Sequence, residues 1–513
     1  MVLALFTPDV WPFAVLVTAV AFVIVAISWL RMHAFLALIL AAILAGVMAT
    51  SLPVNPAAKR NEATGAQDLD YGRRVSTIAE GRLGQALKLT TVGFGETAAG
   101  IAIVIGMATI IGMALMESGA ADKVVRRFLA LSGDGPKGVS LALVVSTYIL
   151  SIPIFFDSMF MLMVPIAMAM AMRTGRDFTL YVLAICAGGV ITHSLTVPHP
   201  GPLFMVDNLK IDIGLSLWAG IGAGLVPAVL AWLGIQWLSR RTPVTLRESA
   251  TAPLDDVRRT MSKSEAELPS LTASLAPIIV PIVLISVTSI FEMVRRGYTP
   301  GAGGFAGVLV GLFGGMDGFL FAKGWVDFIG NKNTALVIGA VLALWVLARQ
   351  RRLPLRELEK LIGPPLETGG VIILITSAGG AFGYMLAQAG VGTALGIWAR
   401  AHGGINLIVL AWAVALVFRI AQGSATVSMQ TTSAMVAGLM TSLPYHPIYV
   451  FLAIGFGAMG CSWMNDSGFW VVSRLSGFTE RETLRTWSAL VTLISVTGLV
   501  SVWLLSMVFP FRG

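Results

Sequence analysis

The sequence predicts an all-α integral membrane protein built from two inverted repeats, with about ten spans, two re-entrant hairpins and two broken helices. Three observations lead there. Of the 513 residues, 56% are hydrophobic and only 12% charged, roughly half the charged share of a soluble domain. The apolar runs are long and continuous, which excludes a membrane barrel of short alternating strands. Small and hydroxylated residues interrupt those runs at matching places in the two halves, most clearly in FRIAQGSATVSMQTTSAM from Phe418 to Met435. Such a helix-weakening stretch survives at membrane depth only where protein or a water-filled cavity covers it.

Taking about 20 residues per span, helices are expected at 11–30 and 33–50. The first run carries an acidic residue before it and no basic n-region, so it reads as a span and not as a cleaved signal. Residues 51–95 read as a polar loop with an interfacial helix near its end. A span at 98–116 follows, and Glu117 to Arg127 read as a basic amphipathic surface segment. Residues 139–172 are apolar on both sides of a break at Pro153 to Ser158, with Lys137 before and Arg173 and Arg176 after. Basic residues at both ends predict a segment that enters and returns, a re-entrant hairpin. Within 179–205, Pro198, Pro200 and Pro202 remove backbone donors, so two half-helices are expected across one span.

A span at 214–238 completes the first repeat, 1–238. The central linker, 239–332, holds charged residues 239–270, a span at 275–290 and a stretch with eight glycines from Gly301 to Gly318. Counting that stretch as a crossing would put Arg240 and Arg241 opposite the basic cluster Arg349 to Lys360. It therefore reads as interfacial or re-entrant. The second repeat, 333–513, offers spans at 333–350 and 369–388, a hairpin at 405–443, a broken span at 447–474 and a last span at 486–510. The charge pattern puts both termini outside.

The two halves correspond at a constant separation: Glu96-Thr97 with Glu367-Thr368, Gly112 with Gly383, Gly189 with Gly460, each 271 residues apart. The same separation sets SIPIFFDSMF opposite QGSATVSMQT and THSLT opposite WMNDS. Paired interruptions point to a transporter site made of discontinuous helices.

The chemistry sits at those breaks. Arg419 closes an apolar run and stays charged, which suits bidentate contact with a carboxylate, or internal pairing with a carbonyl or acid. Asp157, at the first hairpin tip, reads equally as a proton carrier or as a helix cap. Asp466, with Asn465 and Ser467, starts a half-helix whose free N–H groups suit an anion, or it is simply a cap. His193 and His199 flank the first-half break, with His199 read as structural. Glu96 and Glu367 are expected to open equivalent helices, where the dipole favours an acid. Small residues at 418–435 could alternatively mark a close helix crossing. No third ligand supports zinc, no cofactor motif is present, and no nucleophile, base and orienting group form a hydrolase set. Cys186 and Cys461 read as buried thiols. The formal charge of +8 is scattered through short loops, which argues for membrane orientation and against nucleic acid.

At GFGET (Gly93 to Thr97), FFD (Phe155 to Asp157), HSLTVPHPGP (His193 to Pro202), AQGSATVSM (Ala421 to Met429), NDSGFW (Asn465 to Trp470) and LRTWS (Leu484 to Ser488), the chain resembles the gluconate permease family of proton symporters, within the ion transporter superfamily. The resemblance covers most of the chain from about residue 93 onward. It implies proton-coupled uptake of gluconate or a related sugar acid across a bacterial inner membrane, by an elevator-type cycle against a scaffold that often dimerises. Two features depart from it: Asp207, Asn208 and Lys210 follow the PHPGP motif, and the glycine-rich segment at 301–321 looks inserted.

Together these readings assign the substrate carboxylate to Arg419 and the half-helix ends. Ser424, Thr426, Asn465 and Ser467 would bind its hydroxyls, with Gln422, Gly423, Ser158, His193, Ser194 and Gly468 as further contacts, and Asp157 or Asp466 would carry the proton. Other small acids, such as D-serine or glycerate, and sodium coupling stay open as variants. A passive channel fits two opposed hairpins poorly.

Overall fold

The computed structural model describes residues 11–54, 73–132, 135–174, 177–247, 267–298, 305–394, 397, 406–464 and 466–510, and these are nearly all helical. Much of the 239–270 linker, residues 301–304 and Asn465 lie outside the described residues. Seven helical stretches are long and apolar enough to cross a membrane, and shorter apolar helices accompany them.

Helices α1 (Trp11–Ser28) and α2 (Ala34–Met48) lead to a minimal antiparallel ribbon, β1 (Leu52–Pro53) and β2 (Arg74–Val75). Helix α3 (Arg82–Glu117) is far longer than the expected 98–116 span. Its first turns look polar in sequence, but the hydroxyls of Thr90 and Thr97 donate to the carbonyls of Ala86 and Gly93 four residues back, both at 2.8 Å. These buried hydroxyls are thus not left as unsatisfied donors inside the helix. Helix α14 (Leu355–Gln388) likewise overruns the expected 369–388 span. Glu96 and Glu367 therefore stand mid-helix, and the expectation that they open helices is corrected: the N-caps are Gly81 and Pro354.

Helices α3 and α14 form the central contact and run antiparallel, since Gly93 lies against Tyr384, Gly380 against Thr97, and Gly369 against Thr109. A Cβ at Gly380 would collide with the Thr97 side chain, so the approach depends on that glycine. Between them in sequence come amphipathic α4 (Ala120–Ser132), the pair α5 (Pro136–Leu150) and α6 (Phe156–Thr174), the pair α7 (Phe178–Leu195) and α8 (Pro200–Leu209), and the long α9 (Ile213–Arg241) and α10 (Leu271–Gly297). Helices α11 (Phe305–Leu312) and α12 (Met316–Ile329) bend by 87° at the glycine-rich stretch, and neither spans a bilayer alone. Helix α13 (Lys332–Arg351) then leads into α14.

The second half consists of α15 (Leu407–Gln422) and α16 (Ala425–Val436), then α17 (Ile448–Met459) and α18 (Ser467–Ser476), then α19 (Glu480–Thr483), a π-helical turn and α20 (Ala489–Val508). The helix breaks fall where the sequence places them, between α5 and α6, α7 and α8, α15 and α16, and α17 and α18. Every residue of α17 is buried, and every residue of α7 except His193. These two half-helices are the centre of the fold. By contrast α9 and α13 expose Trp218, Leu225, Val229, Val341 and Trp345, the apolar outer surface of a lipid-embedded chain.

Candidate functional site

The second-half tip is built by two residues. Gly423, with φ +79°, ends α15 in the left-handed region, where a side chain would be strained. Ser424 caps α16, its hydroxyl accepting from the Val427 N–H at 3.3 Å. The Ser428 hydroxyl donates to the Ala415 carbonyl at 2.6 Å and closes the two arms together. Arg419, in the last turn of α15, is 5% exposed.

Its guanidinium donates to the Gly423 carbonyl and to the Asp466 carboxylate. The same Asp466 oxygen accepts from the Ser462 hydroxyl, and its other oxygen accepts from the Gly468 N–H at 3.1 Å, capping α18. Trp487 Nε1–H donates to Ser462 at 2.7 Å and closes the cluster. A buried ion pair of this kind is weak evidence of net stabilisation, but losing one partner strands the other charge away from water. Of the roles the sequence leaves open for Arg419, contact with a substrate carboxylate or internal pairing, the internal pairing is present here, with a carbonyl and an acid together.

The first-half tip differs. Asp157 lies in the first turn of α6, and Ser158 follows it. Asp157 makes no hydrogen bond or ion pair among the described residues, and its exposed side chain opens onto cavities inside the protein. His199 Nε2–H donates to the Ser151 carbonyl at 2.6 Å, tying the α7–α8 break to the hairpin turn. That is a structural task. The His193 ring sits 4.2 Å from that of His199, and Phe155 packs edge-on to both. His193 Nδ1 and Ser194 Oγ are buried with no partner among the described residues, and such polar atoms call for one.

Between the four breaks lies a central cavity of about 250 Å³. Of the residues expected at a site, Asp157, His193, Ser194, Arg419, Ser424, Thr426, Asp466, Ser467 and Gly468 line it. Ser158 lines a second cavity instead. Gly423 contributes its carbonyl to Arg419, Gln422 belongs to the end of α15, and Asn465 is outside the described residues. Sequence reasoning missed Thr376 and Ile372 of α14, which form one wall, Val190 of α7 and Pro200 at the start of α8. It gave no role to Phe155, Phe156 and Trp487, although the FFD and LRTWS motifs contain them. Among the described residues, no group of three or more His, Cys, Asp or Glu could hold a metal ion.

A sequence profile described as GntP family permease matches residues 75–508. The chain belongs to the GntP permease family. As a member of it the protein is a transporter and not an enzyme. It is 30% identical over 419 residues to a gluconate permease of Pseudomonas aeruginosa, covering 81% of this chain and 86% of that one. It is 27% identical to the low-affinity gluconate transporter of Escherichia coli, with 92% of both chains covered. The Gnt-II system L-idonate transporter of the same species is 28% identical, with 83% and 90% covered. Among solved structures, MtrF of Neisseria gonorrhoeae superposes with a TM-score of 0.58 at 14% identity, over 95% of this GntP permease and 97% of that chain. The YdaH transporter of Alcanivorax borkumensis gives 0.58 at 11%, over 95% and 99%. At such identities these two establish a shared fold alone.

Proposed function

We propose that this GntP permease is a proton-coupled symporter that takes up gluconate or a closely related sugar acid across a bacterial inner membrane. The observation that carries the reading is the central cavity, where a buried guanidinium paired with Asp466, an array of hydroxyls and the unpaired Asp157 carboxylate converge on four helix breaks. The substrate carboxylate shares Arg419, and Ser424, Thr426 and Ser467 take the hydroxyl groups, with His193 Nδ1 and Ser194 Oγ completing the shell. Relatives named for gluconate and L-idonate favour a polyhydroxylated monocarboxylate over D-serine or glycerate.

Charge balance gives the coupling. Asp466 already neutralises Arg419 and is held by three donors, so an incoming anion finds no spare positive charge. Two unpaired anions in one low-dielectric cavity repel strongly. A proton on Asp157 cancels one of them, and the cavity then carries the same net charge loaded as it does empty. This assigns the proton to Asp157 and leaves Asp466 as a fixed counter-ion.

The two halves act as inverted repeats, a reading supported by the antiparallel packing of the corresponding helices α3 and α14. Ten spans, both termini outside, an interfacial α11–α12 hairpin, an elevator-type movement of the broken helices against a dimerising scaffold: all follow from that reading and the clustering of basic residues at one set of helix ends. The test is accumulation of labelled gluconate by proteoliposomes in sodium-free medium under an inward proton gradient, with unlabelled idonate, glycerate and D-serine as competitors. Accumulation blocked by idonate alone supports the assignment. Accumulation that requires sodium, or that D-serine blocks best, contradicts it.

A further inference from the structure

A second cavity, of about 280 Å³, lies beside the central one and shares Phe155, Asp157 and Ile372 with it. Asp157 is thus the ionisable side chain common to both. The cavity runs from the first hairpin tip along α3 and α14 to Glu117, whose half-exposed carboxylate accepts from Arg351 Nη1–H at 2.5 Å. It therefore reaches the end of the protein where α3 and α13 finish.

Its lining differs in kind from that of the central cavity. Two carboxylates, Asp157 and Glu117, and three hydroxyls, from Thr109, Ser158 and Thr368, face it, and among the described residues no cationic side chain lines it. The rest is apolar. Glu117 is paired with Arg351 at the mouth, so Asp157 is the unpaired charge that an anionic sugar acid would meet there, whereas water and protons are suited to it. The elements packed on α6 set the remaining charges near Asp157. His193 of α7 and Asp466 at the start of α18 face the central cavity, as does Arg419, while Arg474, toward the far end of α18, stacks on Trp470 and Lys137 lies at the far end of α5.

We propose that the second cavity is an aqueous proton route, separate from the substrate's, through which Asp157 exchanges its proton with the side bearing Glu117 and Arg351. Phe155 and Ile372 form the partition that keeps the substrate on the Arg419 side. The inference rests on Asp157 being the proton site, but the route itself is tested independently of substrate identity.

The experiment uses the full-length protein with Cys186→Ser and Cys461→Ser, into which Met113→Cys or Thr368→Cys is introduced, both positions lining the second cavity. Oriented membrane vesicles are treated with a membrane-impermeant trimethylammonium methanethiosulfonate. Labelling from the Arg351 side and none from the opposite side is expected. Failure to label from that side overturns the route whatever the substrate proves to be. Labelled Met113→Cys protein is then compared with unlabelled protein in proteoliposomes for gradient-driven accumulation of gluconate and for gluconate exchange at equal pH on both sides. A separate proton route predicts loss of accumulation with exchange retained, the same split as Asp157→Asn. Loss of both makes the cavity a substrate path, and retention of both leaves it out of the cycle; either result overturns the proposal. If labelling follows the expected sidedness but no gluconate moves even in unlabelled protein, the gluconate assignment falls and the same split is read with the acid that is transported.

Discussion

The turn between α5 and α6 and the turn between α15 and α16 are built from opposite materials. The second is a Gly-Ser turn whose charge is locked: Arg419 and Asp466 are each about 5% exposed and tied to one another, to Gly423 and to Ser462. The first is a turn with Pro153 and two phenylalanines whose single charge, Asp157, has no partner among the described residues and opens on two cavities. One half supplies a fixed charge and the other a free one. A coupled carrier needs both, since an electrostatic site must be constant while the group that titrates must be able to change.

The sharpest way to break the comparison is to unlock the second tip. Arg419→Gln strands the Asp466 carboxylate in the interior, which costs about 3–5 kcal/mol, so purified protein should melt well below wild type and bind no gluconate. Unchanged melting would mean that the pair is no anchor. Next in size is the link that stiffens the first tip. His199→Ala leaves the buried Ser151 carbonyl without its donor, a loss of about 1–3 kcal/mol, and His199→Gln should restore part of it in the same melting assay. Ser424→Ala removes a helix cap worth about 1 kcal/mol, and isothermal titration should show weaker gluconate binding with a modest fall in melting temperature. Smallest for stability is Asp157→Asn, which loses no hydrogen bond or ion pair among the described residues, so the melting temperature should not fall. Its effect belongs to coupling.

How much of this the sequence carried depends on the kind of signal. Arg419, Asp157, Asp466 and His193 stood out because a charged or titratable group inside an apolar run is expensive, and the structure brings all four to one cavity. The four breaks were legible because glycine, serine and proline weaken helices at matching positions. Helix length is only partly legible: the sequence reads 51–95 as a polar loop with an interfacial helix near its end, whereas α3 runs unbroken from Arg82 to Glu117. Nor was the Arg419–Asp466 pair, which joins residues 47 apart from two different breaks. Thr376 and Ile372 escaped because they sit in an unbroken helix, where only packing reveals which face meets the cavity. The second cavity has no sequence signature of its own.

The most direct test of the locked-and-free arrangement compares two transport modes in Asp157→Asn and wild-type proteoliposomes: net accumulation of labelled gluconate driven by an inward proton gradient, and exchange against internal gluconate with the gradient collapsed. Wild type should accumulate only with the gradient and exchange without it. Asp157→Asn should exchange as wild type does and fail to accumulate. Gradient-driven accumulation that survives in Asp157→Asn would contradict the account, because the free charge at the first tip would then carry no proton.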